Sequence, residues 1–313
     1  MKGGLDLGGT KIQAVVTDGA GEVLGKSRRE TPRKGGAEAV VFELAEAMRA
    51  ALDDAQVEPM GISGVGVGAP GSIDAESGTV VQVANIHGWT GPFPIGPALA
   101  EELGRPVAIG NDVNVAVEAE RRFGAGRGYD SFLGVFWGTG VGGGIVLDGR
   151  VLAGRGSAGE IGHVCVRPGG RRCNCGLHGC VEAYAGRGAL EARARTLAKK
   201  RKTMLFEIME SRGRDRLTSG VWLRALQAGD RVAEELLEGA VQALGIGIGV
   251  AVTLLDVEAV VIGGGLGERL GEQWLDRIEH AAREHTFFRD TPAYRLAALG
   301  DLGGALGASL IAP

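Results

Sequence analysis

The sequence predicts an α/β protein of two similar domains facing across a cleft. Three observations carry that prediction. A strand–glycine turn–strand pattern occurs twice, a helix followed by a buried strand comes after each copy, and glycine is unusually abundant. The chain has 56 glycines in 313 residues, more than twice the usual share of about 7%. Most of them lie between β-branched runs, so they read as turns that need positive φ or close backbone approach, not as linker.

The first copy, GGLDLGGTKIQAVVTDGAGEVLGKS (residues 3–27), reads as strand, tight glycine turn, strand, turn, strand. The second, FLGVFWGTGVGGGIVLDGRVLAG (132–154), reads the same way. Aligning Gly9-Thr10 with Gly138-Thr139 carries both copies to an Asp-Gly pair, Asp18-Gly19 and Asp148-Gly149, a strong hairpin signal. Amphipathic helical patterns follow at 36–55 and 230–254, each leading into a buried strand, GVGVGAPGSID (64–74) and AVVIGGGLGE (259–268). RPVAIGNDVNVAVEAERRFGAG reads as a strand from Pro106 to Gly110, then Asn111-Asp112, then a helix ended by Gly124. The expected domains are 1–115 and 116–300, with a last helix near 301–313 packing back on the first.

Composition narrows the function. Net charge is −4, with no basic excess of the kind nucleic-acid binders show. The basic run from Arg193 to Lys202 reads as a solvated helix face. The apolar run Gly245 to Leu255 is short of the 18 or so residues that span a bilayer. Strand-like sequence from Gly3 leaves no secretory signal. The four cysteines crowd into residues 165–180, which is no disulfide framework for this size. A cytoplasmic protein is expected, with no nucleic-acid or membrane partner.

The glycine loops fit neither common phosphate motif. No G-x-x-x-x-G-K-[ST] occurs, and GTGVGG runs into the strand GIVLDG where a dinucleotide fingerprint needs a helix. A glycine hairpin still cradles phosphate through convergent backbone N–H groups. Two matched hairpins, Gly8-Gly9-Thr10-Lys11 and Thr139-Gly140, with the Thr10 and Thr139 hydroxyls at their tips, point to a polyphosphate held from both sides.

EIGHVCVRPGGRRCNCGLHGCVE (160–182) holds every cysteine. Cys173, Cys175 and Cys180 form C-x-C-x4-C, and three thiolates need a fourth ligand for tetrahedral zinc. His163 is the expected one and His178 the competitor. Alternation places Cys165 in a strand core. The paired framing of a DNA-reading finger is absent. Asp112 reads either as a helix N-cap or as a carboxylate beyond the carboxyl end of a strand, where open sheets bind ligands.

With LDLGGTK and GVGAPG, the hairpins and the cysteine cluster make the chain resemble the ROK family of sugar kinases, repressors and unclassified proteins, along essentially its whole length. Residues 173–182 match the glucokinase-type C-x-C-G-x-x-G-C-x-E at every fixed position, and Glu160 and His163 match E-x-G-H. NIHGW (85–89) resembles the N-L-x-G-W loop, although Trp89 reads equally as a packing aromatic.

The resemblance implies two actin-like ATPase (ribonuclease H-like) domains with mixed sheets flanking a cleft. It implies that Asp6 organises Mg2+ and nucleotide phosphates and that Gly264-Gly265 lies near adenosine. Asn85, Asn111, Asp112, Glu160, His163 and Glu182 would bind sugar hydroxyls, with Asp112 as general base. His163 would give one ring nitrogen to structural zinc and turn the other to the sugar.

The implied activity is transfer of the ATP γ-phosphate to the 6-hydroxyl of glucose, in a homodimer or homotetramer. Alternatives are an N-acetylmannosamine or N-acetylglucosamine kinase, a polyphosphate-dependent enzyme, and a non-catalytic sugar-binding regulator. Repressors of the family carry an N-terminal winged helix, for which a first strand beginning at Gly3 leaves no room.

Overall fold

The computed structural model describes residues 1–313 except 84, 85, 87 and 289. It divides into two compact units, Met1–Gly128 with Arg150–Ala158 and Asp301–Pro313, and Tyr129–Gly149 with Gly159–Gly300.

In the first unit, β1 (Lys2–Leu7), β2 (Lys11–Thr17) and β3 (Val23–Glu30) precede α1 (Gly36–Ala55). There follow β4 (Val65–Ala69), the small ribbon of β5 (Ser72–Asp74) and β6 (Thr79–Gln82), α2 (Ile95–Leu103), β7 (Val107–Asn111) and α3 (Asp112–Phe123). The sheet order is β3-β2-β1-β4-β7. β1, β2 and β3 run antiparallel in turn, while β1, β4 and β7 are parallel. Period-two alternation puts Leu5, Leu7, Ile12, Ala14 and Val16 into one core with Val40, Leu44 and Met48 of α1 and Leu99 of α2.

The second unit begins with β8 (Phe132–Trp137) and β9 (Val141–Leu147); β9 turns into β10 (Arg150–Val151), whose residues group with the first unit. Then come α4 (Glu182–Ala185), α5 (Arg187–Ala198), α6 (Leu205–Ser211), α7 (Ser219–Gln227) and α8 (Arg231–Leu255). β11 (Ala259–Gly263), α9 (Gly264–Leu270), α10 (Glu272–Arg283) and β12 (Ala293–Leu296) complete it. Its sheet order is β10-β9-β8-β11-β12, with β8 and β9 antiparallel and β8, β11 and β12 parallel. The two sheets therefore repeat one order, position for position. α8 is long and apolar enough to cross a membrane, and 61% of its most apolar window is buried in the protein. Its Leu237, Val241, Leu244 and Ile248 stand in the second core beside Trp137 and Val260, so core packing accounts for its composition.

The C-terminal helix α11 (Gly303–Ile311) belongs to the first unit and packs on the sheet face opposite α1. Side chains at Gly4 and Gly66 would run into the carbonyls of Ala305 and Ala308, and one at Gly307 into that of Val115. Glycine is required at these positions because backbone meets backbone.

Some expectations shift. β7 runs one residue further than the expected strand and ends at Asn111. α3 lies wholly in the first unit, so the chain passes to the second near Gly128 and not near residue 115, because one continuous helix packs on α11. Asp148 and Gly149 both take positive φ, 50° and 67°, as a two-residue type I′ turn demands. Asp18-Gly19 does not: the Asp18 carboxylate accepts the N–H groups of Ala20 and Glu22, and Gly21 supplies the positive φ. Cys165 is exposed and not in a core. Alternation does separate it from Val164 and Val166, but those valines take the buried side.

Candidate active site and metal centre

In the first unit, the candidate residues gather at the carboxyl ends of the parallel strands, where open sheets bind ligands. Asp6 is in register with Gly68 of β4, which is in register with Gly110 of β7. Gly68 keeps this row open: a Cβ there would lie 2.7 Å from Val115 and 3.4 Å from the Asp112 backbone. Asp6 also lies against Gly304 at the start of α11. Burial first, and then the charge of Asp112, push the Asp6 carboxyl up to about 7, with Lys11 pulling the other way. Gly8 closes the β1–β2 turn by donating to the Lys11 carbonyl, leaving Gly9 and Thr10 exposed. Lys11 is ion-paired with Asp301 at 2.9 Å.

Asn111, and not Asp112, caps α3. Its Oδ1 accepts from the N–H groups of Val113 and Asn114 at 3.0 and 3.1 Å, which makes it the N-cap of α3. Its Nδ2 donates to the Gly71 carbonyl at 3.3 Å. Asp112, the first helical residue, accepts from Val113 N at 2.9 Å. Asn85 lies outside the described residues. Trp89, four positions along the sequence, is core, edge-on to Phe93 with centroids 5.9 Å apart.

In the second unit, a ring nitrogen of His163 and the Sγ atoms of Cys173, Cys175 and Cys180 all lie within 4.8 Å of one another. Cys173 Sγ is 3.7 Å from His163 Nδ1, and Cys175 Sγ is 3.7 Å from Cys180 Sγ. A tetrahedral ion with Zn–S bonds of about 2.3 Å sets its sulfurs about 3.8 Å apart, so the four donors fit zinc. His178 is not among them; it is exposed and pairs with Arg172 through the backbone.

Burial raises the Cys173 thiol and pushes that of Cys180 up to about 12, whereas the backbone N–H of Leu177 lowers Cys175. A metal must displace those protons to bind thiolates. The other His163 nitrogen, Nε2, lies 3.9 Å from the Glu160 carboxylate.

Glu182 begins α4 directly behind the knuckle. Its Oε2 accepts the Val141 N–H at 3.0 Å, and its Oε1 is 3.9 Å from Cys173 Sγ. The carboxylate thus links the knuckle to the Thr139-Gly140 turn, where any side chain at Gly140 would strike it. Thr139 is exposed at the hairpin tip. Gly264, at φ 82°, backs onto the main chain of Trp137 just before that tip. Glu268 holds the Gly264 N–H at 3.1 Å, and Gly265 faces the Ser219 hydroxyl.

Sequence reasoning missed Arg187, which bonds both Thr139 and Ser219. The signal available was a lone arginine set between two glycines in AGRGAL. It also missed Asp301, the partner of Lys11, which is remote in sequence.

Known proteins bear on these features. A glucokinase of Thermotoga maritima is 34% identical over 312 residues, covering 98% of this chain and 96% of that protein. A ROK hexokinase from Thermus thermophilus superposes with a TM-score of 0.79 at 40% identity, covering 100% of this chain and 98% of that one. A ROK family glucokinase from Streptomyces griseus, solved with glucose and AMPPNP, gives a TM-score of 0.87 at 33% identity over 99% and 98% of the two chains. The pattern of the ROK family itself matches residues 2–313. With its repeated sheet order, paired glycine hairpins and Cys3His cluster, this chain belongs to the ROK family.

Proposed function

We propose that the protein is a cytoplasmic ATP-dependent glucokinase, transferring the γ-phosphate to the 6-hydroxyl of glucose with Asp112 as general base. The observation that carries this reading is the division of labour at α3. Asn111 and not Asp112 caps the helix, and Asp112 stands directly after the carboxyl end of β7. The glucokinase relatives support the choice of sugar and donor.

In this reading the first hairpin, Gly8 to Lys11, and Thr139-Gly140 hold the nucleotide phosphates through backbone N–H groups and hydroxyls. Gly264 and Gly265 leave room for the adenosine. Asp6 would organise Mg2+, whose contribution when bound is to neutralise charge on the transferring phosphate. Glu160, His163 and Glu182, with Asn111 and Asn85, orient the sugar. Asn111 has one amide N–H to offer, since its oxygen serves the helix. His163, Cys173, Cys175 and Cys180 would hold zinc, which fixes the imidazole tautomer and ring orientation. Asp112 takes the proton from the hydroxyl as it attacks in line.

The test is a coupled ADP-release assay with glucose, mannose, fructose, N-acetylmannosamine and N-acetylglucosamine, repeated with polyphosphate as donor. Glucose should stimulate ADP release most. General base catalysis is worth about 10² to 10⁴-fold, so Asp112→Asn should lower kcat by about that much with unchanged circular dichroism. Full activity in Asp112→Asn, or no sugar-stimulated ADP release in the parent, overturns the reading.

A further inference from the structure

Arg187 opens α5 at the point where three segments of the second unit converge. Its Nη2 donates to the Thr139 hydroxyl at 2.8 Å and its Nη1 to the Ser219 hydroxyl at 3.1 Å. Ser219 in turn lies 3.8 Å from where a Cβ of Gly265 would sit. The main chain braces the same place. Arg187 N donates to the Gly138 carbonyl, Gly188 N to the Thr139 carbonyl, and the Trp137 indole to Ala185. One guanidinium therefore joins the tip of the β8–β9 hairpin to the start of α7, beside Gly265 of α9.

Its charge is attracted by Glu191 but forms no ion pair with it. Among the described residues Arg187 makes no ion pair, and Glu191, one turn along α5, is held by Arg195 at 2.7 Å and Arg216 at 3.2 Å. Burial, and then the charge of Arg216, lower the Arg187 pKa from the ordinary arginine value. A half-buried arginine with no ion pair of its own is costly unless an anion completes it. Its planar fork suits phosphate oxygens, with N–H groups left over after the two hydroxyls are served. Thr139 carries the same direction further. Its oxygen accepts from Arg187, so its own proton is available to donate outward from an exposed tip.

We propose that Arg187 is a phosphate-binding residue for a nucleoside di- or triphosphate, acting together with the Thr139 hydroxyl that it orients. The inference rests on the nucleotide role proposed above for Thr139, Gly140 and Gly265. It adds a side-chain cation to a site otherwise built from backbone and hydroxyls.

The test is calorimetric titration of the full chain and of Arg187→Gln with ATP, ADP, AMP and adenosine, without sugar. Hydrogen bonds to charged groups are worth about a tenfold change or more in affinity, so ATP and ADP should weaken by about that much. AMP and adenosine should stay within about twofold. The salt dependence of ATP affinity should flatten in the variant, and Thr139→Val should add little on top of Arg187→Gln. Equal weakening of all four ligands marks a structural role and overturns the proposal, as does unchanged ATP affinity. Should Arg187→Gln fail to fold, Arg187→Lys serves for the same comparison, with a smaller loss confined to ATP and ADP expected and a uniform loss overturning the idea. A parent protein that binds no ATP overturns the nucleotide reading and this proposal together. One that binds ATP without phosphorylating sugar removes only the kinase reading.

Discussion

Asp6 sits in a strand beside a second carboxylate, and that placement has a measurable consequence. Its carboxyl is raised from 3.8 to about 7 by burial and by Asp112. The folded protein therefore holds a proton there that the unfolded chain has already lost, between about pH 4 and pH 7. In nucleotide-free, metal-free protein, stability from this group is full below about pH 4 and falls as pH rises to about 7. Asp6→Asn keeps the shape without the charge. Its melting temperature should exceed that of the parent by more at pH 8 than at pH 5, while sugar phosphorylation is lost. Parallel pH slopes in thermal melts would contradict this. The position of Asp6 at a strand end was legible from LDLGG. Its coupling to Asp112 was not, since 106 residues of chain separate them and only the pairing of β1, β4 and β7 brings them together.

At the scale of elements, glycines decide how closely helices seat. α11 crosses α3 and the sheet with Gly4, Gly66 and Gly307 at the contacts. Gly307→Ala places a methyl group against the Val115 carbonyl, and overpacking of this kind costs about 1–3 kcal/mol. The urea midpoint should fall accordingly, whereas Gly239→Ala, where the added Cβ meets nothing within 4 Å, should leave it unchanged or raise it. Equal midpoints for both variants would show that α11 moves aside. The helix near residue 301 was legible as an apolar run. Its seating was not, because sequence shows that a glycine is present and not which carbonyl stands opposite. The two Asp-Gly pairs make the same point. Both mark a turn, yet only Asp148-Gly149 is a two-residue one, since in the other the Asp18 side chain captures two N–H groups and lengthens the loop.

Across the whole molecule, each unit has its own core, and the Cys3His cluster proposed to hold zinc belongs to the second. A structural zinc contributes folding energy outright. Chelation should therefore strip hydrogen-exchange protection from residues 160–186. Through the Glu182 bond to Val141 N, the loss should extend to the hairpin at 138–141. Amides of the β1-β4-β7 ladder should keep their protection. Equal deprotection of both units, or none at the knuckle, would contradict this.

Sequence alone determined the repeated strand–turn–strand pattern, the three thiols of the candidate metal site and the place of Asp112 after a strand, because each is written in local spacing: alternation, glycine turns and C-x-C-x4-C. Only the tertiary structure decided that Asn111 and not Asp112 caps α3, that Glu182 ties the knuckle to the glycine hairpin, and that Arg187 joins Thr139 to Ser219. Those are choices among hydrogen-bond partners distant in the chain or competing for one N–H, and packing geometry alone selects between them.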